Sequence, residues 1–242
     1  MVKTKWRNNL IKMSNLKKAE EDSLPGFSPQ EEKRLERSFG ELSNIAGNIF
    51  SLQKQAKSIY ISSCFRGEGK STAAKRFAFG LSQQSQNKVL LIDTCKGAFP
   101  TLSKTLELEE ELGFMDVIFS GTQPEEVIRE TKYSRLHFIP FGTITNQKIT
   151  LNQKGMIGKT LGKLLNSYDY VIIDGNSILG SSDVSLIADS FDAIAIVVKC
   201  EKTKWEVLQM AANKIETSGG NLLGVILNAR KYYIPRFLYG KM

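Results

Sequence analysis

The stretch Ser58–Thr72, reading SIYISSCFRGEGKST, limits the available folds more than any other part of the chain. Ser58 to Ser63 carries β-branched and aromatic residues and reads as a short strand. A helical pattern through Phe77, Phe79 and Leu81 opens at Lys70-Ser71-Thr72. Between the two lies a loop in which Gly67 and Gly69 permit a tight turn with its N–H groups pointing inward. The N-terminus of the following helix adds partial positive charge, and Lys70 is placed to reach the outer oxygens of a phosphate chain. Ser71 is the hydroxyl expected on a Mg²⁺ ion, and Arg66, Gly67, Glu68, Gly69, Lys70, Ser71 and Thr72 together form the expected phosphate cradle. The usual pattern has a further glycine five residues before Gly69, where Cys64 stands, so the match is partial.

Beyond this loop, apolar runs alternate with helical patterns. Val89–Asp93 and Tyr170–Asp174 read as buried strands that end in a carboxylate, and Leu136–Ile139 is a strand stopped by Pro140. Ile194–Val198 and Leu222–Leu227 supply two more strands. Helices are expected from Gly113 to Val117, over 151–167 and near 203–217. Such alternation predicts an α/β fold: a doubly wound, mainly parallel sheet with helices on both faces, of the P-loop NTPase type. One domain is expected over 31–230, opening with a charged helix through Leu35, Phe39, Leu42, Ile45, Ile49 and Leu52. Residues 1–30 read as a basic tail closing in SLPGFSP, and 231–242 as a tyrosine-containing tail. In such a sheet ligands sit at the carboxyl ends of the strands, where the loop, Asp93 and Asp174 would converge on a Mg²⁺–nucleotide site. The plainer role for either aspartate is a cap or loop residue after its strand.

At 242 residues the chain can bury one large core. No apolar run is long enough to span a bilayer and no signal peptide is recognisable, and Cys64, Cys95 and Cys200 are single, widely spaced thiols. A reducing, cytoplasmic setting is therefore expected. If the strands before Cys64 and Cys95 are neighbours, the two thiols would form a redox-sensitive pair beside the phosphates; buried apolar filler is the alternative. The net charge of +8 is partly concentrated in the first eighteen residues, where six lysines and arginines surround Trp6, Leu10, Ile11, Met13 and Leu16. As a helix this is a weak basic amphipath suited to a membrane surface or a partner's juxtamembrane tail; otherwise it is a solvated terminus. There is no RNA-binding signature and no aromatic-interleaved basic strip, so nucleic acid is not an expected partner.

Several ordered segments resemble the bacterial tyrosine kinases of capsule and exopolysaccharide assembly, relatives of the ParA and MinD type P-loop ATPases. Ser62-Ser63-Cys64-Phe65-Arg66-Gly67-Glu68-Gly69-Lys70-Ser71-Thr72 resembles that family's first Walker motif, in which the leading glycine is also commonly absent. Tyr168–Asp174 with Ser182-Asp183-Val184 resembles its Walker B segment, and Leu112–Val117 and Gly224–Asn228 match in character and order. Phe65 stands where ParA and MinD proteins carry an extra lysine, which favours the kinase branch. The resemblance implies ATP and Mg²⁺ as cofactors. It implies Lys70, Asp93 and Asp174 as catalytic residues, Ser71, Asp93 and Asp174 as metal ligands, and Asn228 as an adenine contact.

Tyr232, Tyr233 and Tyr239 would be the autophosphorylation acceptors, and a transmembrane adaptor of the polysaccharide co-polymerase type the partner. Glu31-x-x-Arg34-x-x-Arg37 fits the family's ring-assembly pattern and implies a homo-oligomer, although it lies further from Lys70 than usual; a solvated charged face is the plainer reading. Two departures stand out. Cys95 replaces the second acid of the intermediate motif, and Lys96-Gly97-Ala98-Phe99-Pro100 lacks its arginine. After Asp174, Gly175-Asn176-Ser177 replaces the usual Thr-Pro-Pro. Three functions follow from these residues: an autokinase, a catalytically weak nucleotide-binding assembly subunit, or a ParA-like positioning ATPase.

Overall fold

A strand presents alternate side chains to opposite faces, so a run with no polar interruption belongs in a sheet covered on both sides. In the computed structural model, which describes residues 25–35, 56–84, 86–95 and 101–229, this is what the apolar runs do. Seven strands, β1 (Ser58–Ser63), β2 (Val89–Asp93), β3 (Arg129–Glu130), β4 (Leu136–Ile139), β5 (Tyr170–Asp174), β6 (Ala193–Lys199) and β7 (Leu222–Asn228), form one sheet in the order β3-β4-β2-β5-β1-β6-β7. All neighbours are parallel except β3, a two-residue antiparallel edge beside β4. The expected doubly wound sheet is present; β3 is too short to leave a periodic signal in the sequence.

Odd and even positions of the same strand feed two separate cores. Ile59 and Ile61 of β1 and Val89 and Leu91 of β2 pack with Phe77, Ala78 and Leu81 of α1 (Lys70–Gln83). Tyr60, Leu90 and Ile92 point the other way. They join Phe114 and Val117 of α3 (Phe114–Ser120), Ile157 and Leu161 of α4 (Leu151–Leu164), and Ala211 and Ile215 of α6 (Trp205–Thr217). Two further short helices are α2 (Leu102–Thr105) after β2 and α5 (Asp183–Ile187) after β5.

The first core reaches further towards the N-terminus than the tail-like reading of residues 1–30 expects. Phe27 is buried against Phe79 and Tyr133, and residues 29–35 are helical with Leu35 buried. Ser28 caps this segment: its backbone N–H and hydroxyl donate to Glu31, whose own N–H donates back. Glu31 also pairs with Lys75 of α1, and Glu32 with Lys132 at 2.7 Å. Within the Pro25–Ser28 segment, Phe27 is the anchor. The basic terminus, the helix beyond Leu35 and the C-terminal tail lie outside the described residues. Among the described residues no helix is long and apolar enough to cross a membrane.

Candidate functional site

The carboxyl ends of β1, β2 and β5 bring the predicted residues together. Asp93 and Asp174 stand opposite each other in the register of β2 and β5, and the loop Cys64–Gly69 leaves β1 on the far side of β5. Gly67 and Gly69 have φ of 82° and 98°, the left-handed conformation that L side chains resist. Gly69 has a second reason to be glycine, since a Cβ there would come within 2.0 Å of the Asn228 amide nitrogen.

Three side chains hold this loop against its neighbours. The Glu68 carboxylate accepts from the Phe65 N–H at 2.9 Å and from the Thr203 hydroxyl, tying the loop to itself and to the segment between β6 and α6. Asn228, at the end of β7, donates from its side-chain amide to the Glu68 carbonyl at 2.8 Å. The amide expected to meet adenine is thus also a strut under the phosphate loop. Phe65, at the head of the loop, is half exposed. The bond between Thr203 and the Glu68 carboxylate carries no local sequence signal, because the two residues lie far apart in the chain.

Lys70 opens α1 and turns into the site, where its ammonium donates to Cys95 Sγ at 3.1 Å. Cys95 in turn donates its S–H to the Gly175 carbonyl at 3.0 Å, the pattern of a neutral thiol. Burial, reinforced by Asp174, pushes that thiol well above its ordinary pKa. Burial draws Lys70 down, but its acidic surroundings outweigh this and hold it above its ordinary value. Cys95 leads the groups that raise it, followed by Asp174 and Asp93.

The two aspartates have different surroundings. Asp93 is fully buried, with Oδ1 accepting from the Cys95 N–H at 3.0 Å and Oδ2 from the Ser103 N–H and hydroxyl at 2.9 and 2.7 Å. Burial raises its pKa against these bonds. Asp174 is equally buried, yet among the described residues no hydrogen bond of normal geometry reaches either oxygen. Burial and the neighbouring Asp93 raise its pKa to about 7, although Lys70, the Ser71 hydroxyl and the Cys95 thiol are close enough to draw it down. A buried carboxylate whose oxygens are left unpaired is costly unless a cation completes it. Asp174 and Ser71 therefore fit a divalent ion, and the left-handed glycine loop at the start of the 14-residue α1 fits a phosphate chain.

Behind these groups the loops are cross-tied. The Asn176 side chain donates to the Thr94 carbonyl at 3.0 Å, its N–H to the Tyr60 hydroxyl at 2.8 Å, and its carbonyl accepts from Ser62 at 2.6 Å. A Cβ on Gly175 would come within 2.0 Å of the Tyr60 ring, so the Gly-Asn-Ser segment is fitted to this chain's own Tyr60. The condition for pairing Cys64 with Cys95 is not met, since β5 lies between β1 and β2; both thiols are free and buried. Tyr232, Tyr233 and Tyr239 fall outside the described residues.

Comparison with known proteins gives a consistent set of relatives. An AAA domain family matches residues 56–221. The tyrosine-protein kinase YwqD of Bacillus subtilis is 30% identical over 75% of this chain and 76% of its own length. Among solved structures, the chimerical protein CapA2B2 superposes with a TM-score of 0.69 at 25% identity, covering 79% of this chain and 84% of the other. The cell-division protein MinD of Aquifex aeolicus superposes with a TM-score of 0.59 at 24% identity, covering 73% and 70%.

Proposed function

The chain belongs to the bacterial tyrosine-kinase family of AAA-type P-loop proteins, and from that membership we propose an ATP-dependent tyrosine autokinase regulating polymerisation or export of a capsular or exopolysaccharide. The observation that supports it is the convergence of Lys70, Asp93 and Asp174 on the strand ends beside a left-handed glycine loop. The loop N–H groups and the N-terminus of α1 bind the phosphates of ATP, and Lys70 leaves Cys95 to reach them. Ser71, Asp93 and Asp174 would hold Mg²⁺, which when bound neutralises charge on the phosphates. Asp93, locked by Ser103 and the Cys95 N–H, keeps the carboxyl pair in register. Transfer to a tyrosine hydroxyl then rests on positioning and charge rather than on covalent catalysis. Tyr232, Tyr233 and Tyr239 are the acceptors, reached within a homo-oligomer. A transmembrane co-polymerase-type adaptor is the partner, with the basic N-terminus against the inner membrane surface.

A second reading, a nucleotide-binding assembly subunit with weak catalysis, is favoured by one observation. Cys95 stands where the family has an acid and holds Lys70 by hydrogen bonding. The intact mass of purified protein after incubation with Mg²⁺ and ATP, in the presence of adaptor, distinguishes the two. Phosphate on the tail tyrosines of the parent but not of Lys70→Met supports the autokinase. No gain in the parent, with gain in Cys95→Asp, supports the assembly subunit.

A further inference from the structure

We propose that Asp93, Cys95 and Asp174 form a site for a thiophilic divalent cation of the zinc class. One ligand atom from each residue lies within 4.8 Å of the others, and all three residues are buried. A second observation points to an ion there: both Asp174 oxygens are fully buried and, among the described residues, lack a hydrogen bond of normal geometry.

The sulfur determines the class of cation. Magnesium takes six oxygens in a rigid octahedron and gains little from a thiol. Zinc and cobalt accept mixed sulfur and oxygen ligands at about 2.0–2.3 Å, and three protein donors plus a water are a sufficient set. On binding, the thiol proton leaves to solvent, the Cys95–Gly175 hydrogen bond is lost, and Lys70 withdraws from Sγ. Asp174 is common to this ion and to the one that would accompany a nucleotide, so the two occupancies exclude each other. The site does not depend on the nucleotide reading, because all three donors are in place in the chain without a ligand.

The test is titration of the nucleotide-free protein with Co²⁺ alone. One equivalent should produce near-ultraviolet sulfur-to-cobalt absorption, which Zn²⁺ abolishes and excess Mg²⁺ does not. Cys95→Ser should remove the band and weaken Co²⁺ binding at least about tenfold, while Cys64→Ser and Cys200→Ser retain it. In the unmutated protein, Zn²⁺ should protect Cys95 from alkylation as mapped by peptide mass, which holds the proposal to account if the Ser variant fails to fold. A folded protein that gives no band, a band that survives Cys95→Ser, or a Cys95 alkylated equally with and without Zn²⁺ overturns it. ATP binding measured on the same samples reports separately on the nucleotide reading.

Discussion

Asp174 and Lys70 bring opposite charges into one buried space, and among the described residues only the lysine has a hydrogen bond of normal geometry to a protein atom. Burial and Asp93 make the Asp174 charge unfavourable, raising its pKa to about 7, so at pH 8 the nucleotide-free protein carries that charge at a cost in stability. Asp174→Asn is therefore expected to stabilise the nucleotide-free protein at pH 8 by about 1–3 kcal/mol, while weakening cation-dependent nucleotide binding. Thermal unfolding with and without Mg²⁺–ATP measures both. A variant less stable than the parent in the absence of ligand would show that Asp174 has partners within the fold. The thiol beside it was legible only as a departure. The sequence shows a cysteine in place of an acid, whereas its bonds to Lys70 and Gly175 depend on β2 and β5 lying side by side.

Among the elements, the short helix α3 shows how a site-bearing sheet is braced from its edge. Asp116 Oδ2 accepts from the Gly113 N–H at 2.8 Å and the Thr143 N–H at 2.9 Å, and Oδ1 from the Thr143 hydroxyl at 2.6 Å. A Cβ on Gly113 would come within 2.1 Å of the Pro140 carbonyl, so the helix start lies directly on the loop after β4. Burial opposes the Asp116 charge, but these donors outweigh it and hold the pKa below the ordinary carboxylate value. A folded-state pKa below the unfolded one contributes stability that is present above the unfolded value of about 4 and lost as pH falls through the folded value. Asp116→Asn should thus cost about 1–2 kcal/mol at pH 7 and much less near pH 3, read as the difference in unfolding midpoints. The long apolar strands and the helices α1, α4 and α6 were legible from periodicity. The four-residue α2, which supplies Ser103 to Asp93, was not, because one helical turn leaves no repeating pattern.

At the scale of the whole molecule, the N-terminal segment is part of the body that carries the site. Glu31, which the family pattern would offer to a neighbouring subunit, is engaged within its own chain by Ser28 and by Lys75, whose ammonium also lies 5.1 Å from the Phe27 ring. Glu31→Ala leaves a buried lysine without its carboxylate and should destabilise the protein by about 2–3 kcal/mol in urea unfolding, leaving the self-association equilibrium unchanged. A shift in oligomeric state at unchanged stability would return Glu31 to the interface role. The sequence could not reveal this engagement, since Glu31 and Lys75 are separated by a long stretch of chain and each is an ordinary charged helix residue on its own.

The central claim, that the strand-end site binds ATP through Lys70, is tested most directly by calorimetric titration of the purified protein with ATP and Mg²⁺, beside Lys70→Met. One ATP per chain in the parent, with binding at least about tenfold weaker in a folded Lys70→Met, is the predicted result. Equal binding by the two proteins, or none by a folded parent, would contradict it.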